Sequence, residues 1–408
     1  IMKKKIAMIL DSGYGRIPDV RVKKEAEALL KAGFEVSLLA RKDFPEELAY
    51  ERLDTGMEIY RAEVKKSFLS KIYEKLTLIK LEWLNVIEGY INKLKPDAMH
   101  AHDLPIIPTA LKVSQEHKLP LIADLHENMP AALVAYRSNL SILRRLVSAI
   151  NNNYFLWRWH EKRCLSKCSK IIVVVTEATS RLINSYKIPA EKICIVSNTE
   201  DDSTFDTSNL DEEILLRYSD FWAVLYIGGI AFHRGIDTVI RAASFVGKAI
   251  PNFKLLIVGI RQEKERRGII RFAKKVGASK FIELIDWVAR SKVSSYIATS
   301  KVCLVPHNKN EHTDTTIPHK LFQYMLMKKP VIVSNCTPLQ RVVKDTGCGL
   351  IFEAGNSQSL VSSLVALYKS NRETISKYGE NGYKAAMSKY SWNNDSQCLV
   401  DMYKSVGH

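Results

Sequence analysis

The chain has no apolar run approaching the ~20 residues that a helix needs to cross a bilayer. Its start, Met2 to Leu10, holds lysines and then only five apolar residues before Asp11, too short for a secretory signal and better read as a first strand. Low-complexity tracts and short internal repeats are missing as well. Cysteine is scarce and unpaired: seven residues, an odd number without paired spacing, point to reduced thiols in a cytosol and against a disulfide scaffold. Cys164 and Cys168, one helical turn apart, read as core or surface residues, not as metal ligands. What is present is globular. With 46% hydrophobic and 25% charged residues disorder is excluded, and 408 residues are too many for one ordinary core, so two domains of about 200 residues each are expected.

The formal net charge is +16 and is unevenly spread. Residues 137–192 carry eleven Lys/Arg against three Glu, and residues 251–300 carry eleven against four acidic residues, whereas residues 201–250 carry four against eight. Such a balance suits an anionic membrane surface, phosphorylated substrates or nucleic acid.

The first half alternates short apolar runs with helical patterns: Lys5–Leu10, Phe34–Ala40, Ala98–Ala101, Leu121–Asp124, Ile171–Thr176 and Ile193–Ser197. The pattern restarts with Ala223–Ile227, Lys254–Val258, Phe281–Ile285, Val302–Val305 and Val331–Val333. Between the halves, residues 199–220 open with the acidic Thr199-Glu200-Asp201-Asp202-Ser203, the best linker candidate. Repeated strand–helix alternation predicts parallel sheets with helices on both faces, with ligands outside the strand carboxyl ends. The tail, 357–403, reads as three helices.

The most informative stretch is Thr315-Thr316-Ile317-Pro318-His319-Lys320-Leu321-Phe322-Gln323-Tyr324-Met325. Proline at a helix start fixes the first turn, and the preceding threonines are expected to cap the free amides. His319 and Lys320 in that first turn put a cation beside unpaired N–H groups, the makings of an anion site. Gln323 shares a face with Lys320. A second candidate phosphate loop, Ile227-Gly228-Gly229 to Arg234-Gly235, follows another strand.

Continued as PHKLFQYMLMKKPVIVSNCTPLQRVV, the first of these stretches resembles the donor-site helix of the family 4 glycosyltransferases. The resemblance extends in motif order over nearly the whole chain. It implies an α/β GT-B fold: two doubly wound Rossmann-like domains with an interdomain cleft, an acceptor-side domain over 1–200, a nucleotide-sugar domain over 201–385, and a C-terminal helix, 386–408, returning to the first domain. It implies a retaining hexosyltransferase using a nucleotide-diphosphate sugar as substrate, with no cofactor. The commonest form of the motif carries two glutamates eight positions apart. Here Thr315 and Gln323 stand in those places, which marks a subgroup with Gln for the second glutamate.

The resemblance assigns roles residue by residue. Lys320 and Arg234 would hold the diphosphate, and His126, just past a strand, would face the donor sugar as the third catalytic residue. Donor contacts are expected from Gly13, Tyr14, Gly15, Gly229, Thr316, Pro318, His319 and Gln323. Asp286 and Trp287 are expected near the nucleobase, and Asp314 is expected to take over sugar bonds of the missing first glutamate. His102 and Asp103 would lie on the acceptor side. No metal is expected, since the chain lacks the Asp-x-Asp pair of the metal-dependent alternative and the spacing of His307, His312, Asp314 and His319 matches no zinc pattern.

Leu140, Leu143, Leu146, Val147 and Ile150 recur at helical spacing among Arg137, Arg144 and Arg145, with Tyr154, Phe155, Trp157 and Trp159 after them. Such a basic amphipathic stretch resembles an interfacial anchor, and packing of the same residues on the sheet is the competing reading. The expected partners are a nucleotide-sugar donor, a saccharide or lipid-linked saccharide acceptor of cell-envelope assembly and an anionic membrane surface, without nucleic acid. The expected location is cytoplasmic, peripheral on the inner face of the membrane. A sugar-nucleotide epimerase and a non-catalytic sugar-nucleotide binder remain open beside the transferase.

Overall fold

The computed structural model describes residues 3–15, 19–65, 67–137 and 141–406; of Leu69, Ile142, Ile150, Asn151 and Phe232 only the backbone is described. The chain divides into two compact units. One comprises Ile1–Val134, Ile142–Ser197 and Asp395–His408, the other Ala135–Ser141 and Asn198–Asn394.

In the first unit the strands, in chain order, are β1 (Lys5–Gly13), β2 (Glu35–Arg41), β3 (Tyr50–Arg52), β4 (Glu58–Ala62), β5 (Ala98–His102), β6 (Leu121–Leu125), β7 (Lys170–Val173) and β8 (Ile193–Ile195). They form one sheet in the order β3-β4-β2-β1-β5-β6-β7-β8, parallel throughout except for the antiparallel β3–β4 edge. Central strands are buried on both faces, which is why Ile6–Leu10 and Leu121–Leu125 read as continuous apolar runs without alternation.

The second unit holds β9 (Trp222–Ile227), β10 (Phe253–Ile260), β11 (Ile282–Asp286), β12 (Val302–Val305), β13 (Val331–Ser334) and β14 (Gly349–Phe352). All pair in parallel in the order β11-β10-β9-β12-β13-β14. Renumbered within the unit this is 3-2-1-4-5-6, whose order reverses between β9 and β12. The loops after those two strands therefore diverge and leave a crevice at the carboxyl edge. In the first sheet the equivalent reversal lies between β1 and β5.

The segment 199–220 is not the exposed linker that its polarity suggests. Thr199, Glu200, Asp201 and Phe205 are buried, and a short helix runs over Glu212–Arg217. Its polar groups are satisfied locally: Asp201 Oδ1 accepts from the Ser203 amide and hydroxyl, and Asp211 caps the helix by accepting from the Glu213 and Ile214 amides. The tail forms the helices Ser357–Lys369, Arg372–Met387 and Trp392–Ser405.

Gly379 sits where the helix Arg372–Met387 meets the end of the helix His319–Leu326, and a side-chain carbon there would overlap the Lys328 carbonyl oxygen. Gly379→Ala is expected to lower stability by about 1–3 kcal/mol through overpacking, measured as a lower midpoint in chemical denaturation.

Candidate functional site

In the second unit the loop after β9 begins at Gly228, whose φ of +128° favours glycine. It passes Gly229 and a 3-10 turn, Phe232–Arg234, before Gly235 opens the helix Ile236–Ala249. Gly235 has φ +69° and lies so close to the Pro306 carbonyl oxygen that a Cβ would overlap it. That contact draws the loop after β9 against the loop after β12. The helix His319–Leu326 arrives from the other side, with Pro318 before its first residue.

Lys320 is buried. Its Nζ lies 3.9 Å from the centre of the Tyr226 ring, and a Cβ placed on Gly228 would be 3.0 Å from it. Arg234 Nη1 comes within 3.5 Å of the same point and donates to the Gly229 carbonyl at 3.4 Å, an oxygen that also accepts from the Tyr226 hydroxyl at 2.7 Å. Lys320 Nζ has no hydrogen-bond partner, and neither cation meets a carboxylate among the described residues. Burial, and then the Arg234 charge, push the Lys320 pKa well down. His233 and His307 are buried beside them with Nδ1 and Nε2 respectively unbonded. Burial lowers His233 to about 3 and His307 well below its ordinary value, with Arg234 and Lys320 adding to both shifts. Two cations and two neutral imidazoles without a counter-ion make a receptor for an anion.

The threonines do not cap the helix at Pro318. Thr315 closes a 3-10 turn, and its hydroxyl donates to the Glu311 carbonyl at 2.7 Å; the helix start carries no side-chain cap bond. Thr316 continues from that turn in extended backbone, and His319 opens the helix. Asp314 is likewise engaged elsewhere: its Oδ1 accepts from the Thr337 amide and hydroxyl at 2.7 and 2.9 Å, anchoring the start of the helix Thr337–Thr346. Asp286 and Trp287 lie at the end of the edge strand β11. Asp286 is exposed and paired with Arg266 at 2.6 Å, and the Arg261 guanidinium stacks 3.8 Å from the centre of the Trp287 ring.

Gln323, one turn after Lys320, donates from Nε2 to Glu200 Oε2 at 2.6 Å. Glu200 Oε1 accepts from Arg290 at 2.9 Å and from the Asp201 amide at 3.1 Å. Sequence reasoning missed Glu200; its one signal is a carboxylate in an acidic stretch far along the chain from the helix that it serves.

In the first unit the ends of β5 and β6 carry a buried network. Arg21, on the helix Val20–Lys31, forms a two-bond fork to Asp124, Nε to Oδ2 at 3.1 Å and Nη2 to Oδ1 at 2.9 Å, and meets Glu25 at 2.9 Å. His102 Nδ1 is 3.1 Å from Asp124 Oδ2, and His100 Nδ1 lies 2.8 Å from the Tyr403 hydroxyl. Glu25, His100, His102 and Asp124 together could ligate a metal ion, the one such group found among the described residues. The Arg21 guanidinium, however, already stands 2.9 Å from both carboxylates, where a second cation would be repelled.

His126 has Nε2 2.9 Å from Asp124 Oδ2 and Nδ1 3.4 Å from Asp103 Oδ2. Burial alone would lower its pKa, but the two carboxylates outweigh burial and lift it to about 10. The ring is then a double donor whose nitrogens both face carboxylates, which removes the free nitrogen expected to bond a sugar hydroxyl. His102 is buried, with Nδ1 bonded inward to Asp124 and Nε2 without a hydrogen-bond partner, while Asp103, at φ +69°, is partly exposed. The space beside Gly13 and Gly15, expected to admit a ligand, is filled by the side chains of Asp43 and Glu47. Tyr14 is buried, and its carbonyl accepts from Arg61 at 3.0 Å.

Residues 19–203 match the family model of Glycosyltransferase Family 4, and residues 208–385 match that of Glycosyl transferases group 1. The alpha-D-kanosaminyltransferase of Streptomyces kanamyceticus is 18% identical over 254 residues, 61% of this chain and 64% of that protein, so the chain spans just under two thirds of this relative. The phosphatidyl-myo-inositol mannosyltransferase of Mycobacterium leprae is 23% identical over 318 residues, 76% of this chain and 74% of that protein. Among solved structures, Anabaena Alr3699/HepE in complex with UDP and glucose is similar with a TM-score of 0.72 at 14% identity, covering 99% of this chain and 100% of that one.

The His126 charge has a pH signature. Its folded-state pKa of about 10 lies above the ordinary 6.5, so its stabilisation is complete below pH 6.5 and is lost as pH rises through 10. The melting temperature of the first unit is expected to fall over that window, and His126→Asn is expected to flatten the fall in a series of melts from pH 6 to 10.5.

Proposed function

The chain belongs to the glycosyltransferases of GT-B type, and on that premise we propose that it moves a sugar from a nucleotide-diphosphate sugar to a lipid-linked or cell-envelope saccharide, with retention of configuration and without a metal. The observation that carries the donor half is the pair of cations at the β9/β12 switch point, the buried Lys320 and the half-buried Arg234, which meet no carboxylate among the described residues. The reaction breaks the bond between the anomeric carbon and the diphosphate, so negative charge grows on the leaving oxygen as the sugar becomes oxocarbenium-like. Groups already aimed at that oxygen stabilise the transition state more than the ground state. The fixed ammonium, the guanidinium and the positive end of the helix His319–Leu326 supply that stabilisation, and the first two supply charge that a divalent metal would otherwise bring. An arriving diphosphate favours the charged form of Lys320 and offsets the burial that depresses it when alone. The UDP and glucose of the Anabaena structure agree with this donor class. Retention follows the family resemblance, with the departing phosphate taking the acceptor proton.

The acceptor half rests on the first unit. No described helix is long and apolar enough to cross a membrane. Three helices nevertheless expose apolar side chains beside basic ones. They are Phe68–Thr77, with Phe68 at 77% exposure and Leu76 at 69%; Ile142–Asn151, with Leu143 at 72% and Leu146 at 60% beside Arg144 and Arg145; and Tyr154–Leu165, with Phe155 and Trp159. Leu140 lies outside the described residues, as does the side chain of Ile150. His160 Nε2 lies 3.3 Å from the Leu76 carbonyl, joining the first and third of these helices. A surface that buries apolar side chains in a headgroup layer and meets anionic lipid with arginine is suited to a lipid-linked acceptor at the cytoplasmic face of a membrane. The mannosyltransferase relative, named for a phosphatidyl-inositol acceptor, agrees with it.

Lys320→Met is expected to cut sugar transfer by about 10²–10³-fold and, by removing an unpaired buried charge, to raise the melting temperature of the free protein. Turnover of a panel of UDP-, GDP- and CMP-sugars with parallel melts checks both, and unchanged turnover overturns the donor assignment. The protein is expected to float with vesicles containing anionic lipid at low salt, less so with Leu143→Glu/Leu146→Glu; absence of flotation with anionic vesicles overturns the membrane surface.

A further inference from the structure

Glu200 and Gln323 stand far apart in the chain and meet at 2.6 Å. A carboxylate only accepts hydrogen bonds, so the edge of the Gln323 amide facing Glu200 must be its NH₂, and the opposite edge must be its carbonyl Oε1. The orientation of this amide, ordinarily ambiguous, is therefore dictated by its neighbour. Glu200 is itself fixed: its side chain is buried, and Oε1 accepts from Arg290 and from the Asp201 amide. Gln323 is half-buried on the Lys320 face of the helix, and no protein group among the described residues bonds its Oε1. A rigid acceptor thus looks out one turn from the buried ammonium.

We propose that Glu200 is a positioning residue that supplies, from the segment after β8, the negative charge absent at position 323, and that it turns the Gln323 carbonyl toward a hydroxyl of the donor nucleotide. The proposal rests on the nucleotide-sugar reading above for its ligand, a vicinal diol such as a ribose, but not for the pair itself. The charge has been transposed from helix to segment, and the two positions work as a unit. Restoring a glutamate at 323 alone sets two carboxylates at hydrogen-bond distance with, among the described residues, Arg290 alone paired to balance them. Exchanging both residues rebuilds the bond with its polarity reversed.

The test is a cycle of the full chain, Glu200→Gln, Gln323→Glu and the double exchange, all nearly isosteric. UDP-glucose and GDP-mannose serve as titrants by calorimetry, and melting without ligand is a second readout. Gln323→Glu is expected to weaken binding of whichever sugar nucleotide the wild type takes by about tenfold or more and to lower the melting temperature. Glu200→Gln, which frees the amide to turn over, is expected to weaken binding by about tenfold with a smaller thermal effect. The double exchange is expected to recover wild-type melting and most of the affinity. Wild-type affinity in Gln323→Glu, or a double exchange no better than that single variant in either readout, overturns the proposal. If the wild type binds neither titrant, the donor reading and the ligand role of Gln323 fall together, whereas the melting cycle still decides whether the pair is coupled.

Discussion

Lys320 Nζ lies against the face of the Tyr226 ring, next to a guanidinium and two neutral imidazoles, with no carboxylate in reach among the described residues. Proteins ordinarily pair or hydrate such a charge, because an unpaired buried ammonium costs several kcal/mol. Much of the second unit is arranged to hold it there. The reversal of strand order separates the loops after β9 and β12, and Gly235 lets those loops touch at the Pro306 carbonyl. Gly228 leaves room for the ammonium, and the Tyr226 ring offers its negative face. An anion bound there would offset that cost, so stability of the free protein and affinity for such a ligand would oppose each other at this one atom.

The first unit solves the opposite problem. Arg21, Asp124, Glu25, His100, His102 and His126 are all ionisable or polar and nearly all buried, yet most are bonded to one another. Burial pushes His102 down to about 3 while two carboxylates hold His126 up near 10, so neighbouring imidazoles carry different charges at neutral pH. The network locks the ends of β1's neighbour β5 and of β6 to the helix Val20–Lys31. It gives the first unit a rigid carboxyl edge, in which His126 is held between the Asp103 and Asp124 carboxylates.

The architecture was largely legible along the chain. Alternating apolar runs announce parallel strands, and glycine-bearing turns announce the loops at their carboxyl ends, because both signals are local and follow from backbone geometry. The Lys320 helix start was legible for the same reason. Polar partnerships were not. Asp314 faces Thr337, Gly13 faces Asp43, and Gln323 faces Glu200, each through space and across intervening elements. The acidic 199–203 stretch read as solvated linker because sequence shows charge without showing the Arg290 and Gln323 donors that allow it to be buried.

Residue order by itself therefore determined the two parallel α/β units, the positions of their strand-end loops, and the cationic, proline-led helix start. Each of these depends on contacts within a few residues or on hydrophobic periodicity. The tertiary structure alone decided which polar atoms remain available at that site. Among the described residues it left Lys320 Nζ and Gln323 Oε1 unbonded and engaged His126 and Asp314. Hydrogen bonds saturate: an atom bonded by a partner a hundred residues away is no longer free to meet a ligand, and only the folded chain shows where that partner lies.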